Sequence, residues 1–194
     1  MEPSHKELKI TPTDKILAAT FLQLIPARVT PNQVTIFRFF TVPFITLFLY
    51  LNMDYVAVPL FAVSALTDAL DGALARTRGQ VTEWGKMFDP VADKLLIGLS
   101  AIVIIPRYLN PFLVFIIIFT EMLLVGSAYY FKNTKNIHIS ANVWGKAKMI
   151  FQSLGIGLLI SNTLIESDLV VVVAEKLIYF GIVLAVVSLI SYGI

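Results

Sequence analysis

Four aspartates lie close together in the segment DALDGALARTRGQVTEWGKMFDPVADK, which runs from Asp68 to Lys94 of a 194-residue chain. They form two pairs, because Asp68 and Asp71 are three residues apart, and Asp89 and Asp93 are four apart. On a helix, side chains at these spacings point in the same direction. The segment therefore predicts two helices that each present a pair of carboxylates, and the two pairs can converge.

Four converging carboxylates indicate bound cations, since ionised carboxylates repel one another unless their charge is offset. Ligand sets made only of oxygen select hard divalent ions, Mg²⁺, Mn²⁺ or Ca²⁺, over zinc or copper. Four carboxylates exceed what a single ion needs, and two ions about 3.5–4 Å apart are an arrangement that stabilises phosphoryl transfer. We therefore expect a two-metal site that acts on a phosphorylated substrate.

Small residues and a cation follow the first aspartate pair. Gly72, Ala73 and Ala75 add no bulk there, so that a nucleotide or phosphate could approach the helix. Arg76 supplies a cation for phosphate oxygens. The alternative is that the small residues only allow close helix packing and that Arg76 is an ordinary basic residue of a cytoplasmic loop.

The elements that must position these residues are predicted to be membrane-spanning helices. Hydrophobic residues make up 57% of the chain and charged residues only 14%, which is too apolar for a soluble domain of this size. A spanning helix needs about 20 mostly apolar residues. Six segments qualify or nearly qualify and predict an all-α integral membrane protein: residues 34–52, 54–75, 87–106, 109–131, 143–162 and 170–193.

An amphipathic helix is expected before the first span. Apolar residues recur there at helical spacing, and Pro26 and Pro31 close the segment. We expect it to lie on the membrane surface; a cytosolic helix docked on the protein's own loops is the alternative. The chain is therefore divided into residues 1–33, a cytoplasmic tail with an amphipathic juxtamembrane helix, and residues 34–194, a six-helix transmembrane domain. The amino-terminal sequence lacks a cleavable signal pattern and is expected to stay in the mature chain.

Basic residues predict the orientation of the chain in the membrane. Lysine and arginine concentrate before the first span, between the second and third, and between the fourth and fifth, whereas the opposite loops carry Arg107 alone. Both termini and the aspartates are therefore predicted on the cytoplasmic side. The net charge of +2 does not indicate a nucleic-acid partner, and the absence of cysteine excludes disulfides and thiolate metal sites.

The spacing Asp68-x2-Asp71-Gly72-x2-Ala75-Arg76-x8-Gly85-x3-Asp89-x3-Asp93 resembles, in every fixed position, the signature of the CDP-alcohol phosphatidyltransferase family. The resemblance extends over most of the chain and includes TPNQVTIFR at the start of the first span. It implies a phospholipid-synthesising transferase that moves a phosphatidyl group from a CDP-linked lipid, usually CDP-diacylglycerol, to an alcohol acceptor and releases CMP.

The resemblance also implies roles for individual residues. The four aspartates would bind two divalent cations, Mg²⁺ or Mn²⁺, and Asp93 would also be the base that takes the acceptor's proton. The CDP-lipid would contact two groups of residues: Gly72, Arg76, Thr82 and Gly85 along the nucleotide, and Pro31, Asn32, Gln33 and Val34 on its other side. Neither histidine is placed for a covalent intermediate, so a direct displacement is expected.

The acceptor is predicted to be glycerol 3-phosphate. MFDPVADKLL and WGKAKMIFQ resemble the branch of the family that makes phosphatidylglycerol phosphates, and Lys146 and Lys148 would hold the acceptor's phosphate. The alternative is that they are ordinary cytoplasmic lysines. In that branch an arginine usually precedes the glutamate of the fourth span, and here Thr120 precedes Glu121. An inositol phosphate, phosphatidylglycerol as in cardiolipin synthesis, and an archaeal-type lipid donor therefore stay open.

Two further expectations concern Glu121 and assembly. Glu121 lies deep in a predicted span and needs a partner, for which Lys94 and Arg38 are candidates. Small-residue faces near Gly98 and Gly155 permit a homodimer, which is common in the family, without requiring one. A divalent cation channel or transporter would also explain the aspartates, but not the glycines and Arg76 at fixed spacing beside them.

Overall fold

The computed structural model describes residues 30–77, 83–135 and 143–191, and within these ranges the regular structure is entirely helical. Each helix coincides with one predicted span to within four residues at either end, so the prediction of six helices over these segments is confirmed. They are α1 (Pro31–Tyr50), α2 (Asp54–Thr77), α3 (Glu83–Tyr108), α4 (Phe112–Lys135), α5 (Val143–Ile165) and α6 (Asp168–Ser191). The predicted amphipathic helix before Pro26 lies outside the described residues.

Three of the described helices are long and apolar enough to cross a membrane, over Asn32–Tyr50, Val143–Ile165 and Asp168–Ser191. Shorter apolar stretches, Asp54–Thr67 and Phe112–Ser127, lie in α2 and α4. The first half of α3 is less apolar because it carries Asp89, Asp93 and Lys94. The described chain is thus a set of apolar helices, several of membrane-spanning length.

Two hydrogen bonds between Thr30 and Gln33 fix the start of α1. Thr30 precedes Pro31, whose fixed φ and missing N–H suit the first helical position. The Thr30 N–H donates to the side-chain oxygen Oε1 of Gln33 at 2.9 Å, and the Gln33 N–H donates to the Thr30 carbonyl at 3.0 Å. These reciprocal bonds satisfy groups that a helix end leaves open. The first turn of α1 therefore has a defined geometry.

A tight turn at Leu51–Met53 joins α1 to α2. Asn52 adopts a left-handed conformation with φ 56°, which asparagine tolerates better than most residues. The Met53 N–H donates to the Phe48 carbonyl at 2.8 Å and the Asn52 N–H to the Leu49 carbonyl at 3.1 Å. This pair of bonds is a Schellman motif that closes the end of α1. A connection this short makes α1 and α2 antiparallel neighbours.

The described residues fall into two compact units. One takes in the residues up to Ile45 together with Pro59–Leu96, and the other takes in Thr46–Val58 together with the residues from Ile97 onward. The first unit thus holds most of α1 and α2 with the first half of α3. The second unit holds the Leu51–Met53 turn, the second half of α3, and α4, α5 and α6.

In the first unit, α1 contacts both of its neighbours along and beside one buried stripe. The Thr41 and Ser64 hydroxyl oxygens lie 3.4 Å apart, joining α1 to α2. Phe39 meets Phe88 edge to face with ring centroids 6.1 Å apart, joining α1 to α3. The stripe repeats every three or four residues, as a helix face packed on two sides requires, through Thr35, Arg38, Thr41, Val42 and Ile45.

In the second unit, α5 packs along α6 through small residues. A Cβ added at Gly155 would lie 2.7 Å from Ile178 Cγ1 and 3.0 Å from the Ala174 carbonyl oxygen. A Cβ added at Gly181 would lie 2.7 Å from Gln152 Cγ. Each helix therefore uses a glycine to admit the other, as close helix packing in membranes does.

In the second unit, an arginine near the end of α3 bonds the residues on both sides of the Leu51–Met53 turn. Arg107 Nη1 donates to both carboxylate oxygens of Asp54, at 2.9 and 3.1 Å. Its Nη2 donates to the carbonyl oxygen of Leu49 in the last turn of α1. The lone basic residue predicted in the opposite loops is thus bound to the start of α2 and the end of α1.

Candidate active site

Two side chains of α1 bond directly to the second aspartate pair. The Thr35 hydroxyl donates to Asp89 Oδ1 at 2.5 Å. Arg38 Nη1 donates to Asp93 Oδ1 at 3.2 Å, which is also an ion pair. Because Thr35 and Arg38 are three residues apart on α1 and the aspartates are four apart on α3, each bond spans the same two helices one turn from the other.

The members of these bonds differ sharply in exposure. Arg38 is fully buried and Thr35 is 1% exposed, whereas 26% of the Asp93 side chain is accessible and Asp89 is half-buried. An arginine inside an apolar bundle is costly unless it is paired, and the carboxylate of Asp93 supplies the pairing charge. The aspartates therefore lie at the accessible edge of the unit, with their α1 partners behind them.

The first aspartate pair lies on α2, near the level of Thr35. Thr35 precedes Thr41 by six residues, or about 9 Å along α1, and Asp71 follows Ser64 by seven residues, or about 10 Å along α2. Since the helices are antiparallel and Thr41 contacts Ser64, these displacements run in the same direction. The backbone thus carries Asp68 and Asp71 to the end of the unit that holds Asp89. Their side chains lie outside the described part of the molecule.

The donor chemistry at this end fits a hard divalent cation. Asp89 and Asp93 offer carboxylate oxygens from one face of α3, and each has two oxygens, of which Oδ1 is bonded to α1. Among the side chains that the structure describes, no three acidic or histidine residues form a metal-binding group; the predicted set needs Asp68 and Asp71. Oxygen donors at this position suit Mg²⁺ or Mn²⁺.

The residues predicted to contact the CDP-lipid lie on three segments. Pro31, Asn32, Gln33 and Val34 form the first turn of α1, immediately before Thr35, and Gly85 is buried in the first turn of α3. Gly72 and Arg76 lie on the last turns of α2, with side-chain positions outside the description, and Thr82 lies outside the described residues. The Thr35–Asp89 and Arg38–Asp93 bonds show that the first turns of α1 and α3 belong to helices that pack side by side. The contacts of these residues with the CDP-lipid stay predictions.

The residues predicted to hold the acceptor lie on α5 in the second unit. Lys146 is exposed, whereas Lys148 is 3% exposed and donates to Glu121 Oε2 of α4. From the sequence, Lys94 and Arg38 are the candidate partners of Glu121, and the Lys148 contact is not anticipated. The buried lysine therefore already has a carboxylate beside it, and Lys146 is the more accessible of the two cations.

Thr35 and Arg38 are the site residues that the sequence does not reveal as such. Arg38 has a signal, because an arginine inside an apolar span needs a partner, but nothing in the sequence identifies that partner as Asp93. Thr35 has only its spacing, three residues before Arg38. Pairing between residues 54 or 55 positions apart depends on how α1 packs against α3.

The fold and the aspartate-bearing helices define a class of protein that sequence comparison identifies. A sequence profile of the CDP-alcohol phosphatidyltransferase family matches residues 28–187. The chain belongs to this family and is therefore a membrane-bound transferase of phospholipid biosynthesis, in agreement with its apolar helices. The family and the activity class predicted from the aspartate spacing are confirmed.

Within the family, several similar proteins bear one name, CDP-diacylglycerol–glycerol-3-phosphate 3-phosphatidyltransferase. The chain is 29% identical over 169 residues to that of Rickettsia typhi, covering 84% of this chain and 93% of the relative. It is 31% identical over 170 residues to that of Wigglesworthia glossinidia brevipalpis, covering 84% and 91%. To that of Escherichia coli K12 it is 38% identical over 81 residues, covering 40% and 44%. The predicted similarity to the glycerol-phosphate branch is confirmed.

Proposed function

We propose that this protein transfers the phosphatidyl group of CDP-diacylglycerol to glycerol 3-phosphate and releases CMP. The observation that carries the proposal is its similarity, over 84% of the chain, to enzymes named for these two substrates. The pair of carboxylates held on α3 by α1 supplies a site for the chemistry. An inositol phosphate and phosphatidylglycerol are the alternative acceptors, which a CMP-release assay separates, and an archaeal-type lipid is the alternative donor.

The reaction is a single displacement at phosphorus. The acceptor's hydroxyl oxygen forms a bond to the phosphorus that carries the diacylglycerol, and the bond from that phosphorus to the CMP oxygen breaks. The electron pair of the broken bond leaves with CMP, and the hydroxyl proton passes to Asp93. Asp93 suits this role because its carboxylate is partly accessible while its orientation is held from behind by Arg38.

Two divalent cations, Mg²⁺ or Mn²⁺, would be held by Asp68, Asp71, Asp89 and Asp93. When bound, they would neutralise the charge of the pyrophosphate and of the group in transfer. The nucleotide would contact Gly72, Arg76, Thr82 and Gly85, with Pro31–Val34 closing the other side. The two bonds between Thr30 and Gln33 support this proposal, because a pre-ordered first turn of α1 lowers the cost of binding.

Six transmembrane helices, with both termini and the aspartates on the cytoplasmic side, complete the proposal. The distribution of basic residues supports this orientation, which gives the site access to water-soluble acceptors. At the acceptor site, exposed Lys146 would bond the phosphate directly. Lys148 would contribute to the same site together with Glu121, with which it is paired. A homodimer is compatible with the proposal but is not required by it.

The test is a CMP-release assay on the purified protein with CDP-diacylglycerol and either Mg²⁺ or Mn²⁺. Glycerol 3-phosphate, inositol 1-phosphate, serine and phosphatidylglycerol are offered in parallel. We expect CMP release with glycerol 3-phosphate alone, and its loss on addition of EDTA. Turnover with another acceptor would replace the substrate assignment. Absence of CMP release with every acceptor and both metals would overturn the proposed donor.

A further inference from the structure

Two buried side chains of α1 lie behind the aspartates that the proposed reaction uses. Thr35 and Arg38 are 1% and 0% exposed, so neither can contact a substrate that enters from water. Each nevertheless bonds one carboxylate of α3. These bonds give both residues a route to the chemistry through Asp89 and Asp93.

Each bond removes rotational freedom from a partly accessible carboxylate. Asp89 and Asp93 are both partly accessible and lie one turn apart, where their like charges repel. The bonds to Thr35 and Arg38 fix Oδ1 of each aspartate, and with it the direction of the second oxygen. The edge-to-face contact of Phe39 with Phe88 holds the same two helices at the neighbouring residues, so the bonds act between elements whose register is set by packing.

We propose that Thr35 and Arg38 are positioning residues: Thr35 orients Asp89 as a metal ligand, and Arg38 orients Asp93 as the proton acceptor. This inference rests on the proposed function for the role of Asp93, and on the metal alone for the role of Asp89. Hydrogen-bond partners of ligating carboxylates commonly change metal affinity by about 10–100-fold when removed. The two residues should therefore leave different signatures.

Thr35 is tested by titrating the purified protein with Mn²⁺ alone, by calorimetry. Thr35→Val keeps the branched shape and loses the hydroxyl, so we expect Mn²⁺ affinity to fall by about tenfold. Thr35→Ser keeps the hydroxyl, so its Mn²⁺ affinity should stay within about threefold of that of the unaltered protein. This is less than the roughly tenfold loss expected when a hydrogen-bond partner of a metal ligand is removed. Thr120→Val is the matched control, because Thr120 is also buried but bonds only carbonyls of its own helix.

Arg38 is tested by two readouts, Mn²⁺ affinity and kcat, which should change by different amounts. Arg38→Gln removes a cation beside a proposed ligand, which favours Mn²⁺, and removes one bond to that ligand, which disfavours it, so we expect Mn²⁺ affinity to change by less than about tenfold. The same change removes the Arg38 bond to Asp93, so kcat should fall by about 100-fold, as misplacement of a reacting group does. Arg38→Lys keeps the charge without the fixed guanidinium geometry and should lose about tenfold in kcat, with the KM for CDP-diacylglycerol unchanged.

The outcomes separate the inference from the proposed function. Thr35→Val with unaltered Mn²⁺ affinity would overturn the role of Thr35, whether or not the enzyme turns over. An equal fold-loss of Mn²⁺ affinity and kcat in Arg38→Gln would overturn the role of Arg38 toward the proton acceptor, because it would assign the whole effect to the metal site or the fold. If that variant does not fold, Arg38→Lys decides, since full kcat there would remove the positioning role. If the unaltered protein binds Mn²⁺ but releases no CMP, the proposed function fails while the Thr35 result stands.

Discussion

Lys148 of α5 is bonded to Glu121 of α4, and only 3% of the lysine side chain is exposed. The pair explains how a glutamate can lie inside an apolar helix that is otherwise suited to lipid. A lysine or a glutamate alone at this depth would cost several kcal/mol, of order 2.5–3.5 by insertion scales. Each residue thus makes the other tolerable, and the sequence places them 27 positions apart.

Removing the lysine should therefore destabilise the protein more than removing both charges. Lys148→Met leaves the Glu121 carboxylate without this cation, and loss of one partner of a buried pair costs about 3–5 kcal/mol. We expect the lower end, since 27% of the Glu121 side chain is accessible. Adding Glu121→Gln should recover most of the loss in Tm, measured in detergent. A double variant less stable than Lys148→Met would contradict the pairing.

Lys146 provides the contrasting variant on the same helix. Its side chain is exposed, so Lys146→Gln should change stability by no more than about 0.5 kcal/mol. It should instead raise the KM for glycerol 3-phosphate by about tenfold and leave the KM for CDP-diacylglycerol unchanged, because one charge-assisted bond to one substrate is lost. Equal changes in both KM values would remove Lys146 from the acceptor site.

Asp89 and Asp93 should separate metal binding from proton transfer. Asp89→Asn should weaken Mn²⁺-dependent binding of the CDP-lipid and lower turnover together, because Asp89 is proposed only as a ligand. Asp93→Asn keeps an oxygen but cannot take up the proton, so much of the affinity should remain while CMP release falls by at least about 100-fold. A thermal-shift titration run beside the turnover assay distinguishes them. Near-normal turnover of Asp93→Asn would place the base elsewhere.

Helix positions were predictable from the sequence, whereas contacts between helices were not. Apolar runs of about 20 residues locate all six helices, even α3, where Asp89 and Asp93 interrupt the pattern. The aspartate spacing likewise reveals the family. The partner of Asp89 is not predictable, because a threonine inside an apolar helix usually bonds its own backbone, as Thr120 does. Whether the Thr35 hydroxyl bonds its own helix or Asp89 depends on how α1 packs against α3.

The α5–α6 contact should tolerate no side chain at its glycines. Gly155→Ala places a Cβ 3.0 Å from the backbone oxygen of Ala174 and 2.7 Å from Ile178, so the helices must separate, at a cost of about 1–3 kcal/mol. A Cβ added at Gly126 of α4 would meet no other atom within 4 Å. Gly126→Ala should therefore be neutral or stabilising by up to about 1 kcal/mol. Thermal unfolding of both variants in one detergent makes the comparison. Equal Tm values would refute the close contact.

The proposed orientation can be checked by labelling, since the chain contains no cysteine. Gln80→Cys and Lys135→Cys lie at basic-rich connections and should react only with a reagent inside sealed vesicles. Met53→Cys lies in the exposed turn between α1 and α2 and should react only from outside. Reaction of Gln80→Cys or Lys135→Cys from outside would invert the topology and remove the site from the cytoplasmic face.

The closed turn at Leu51–Met53 bears on how the protein enters the membrane during synthesis. Its backbone groups donate to the last carbonyls of α1, so few bare amide groups have to cross the hydrocarbon when the turn is translocated. Among the residues from Tyr50 to Val58, Asp54 is the only charged one, and charge is the other main obstacle to crossing. We therefore expect α1 and α2 to insert together as a preformed helical hairpin, before the helix that completes the aspartate site has left the ribosome.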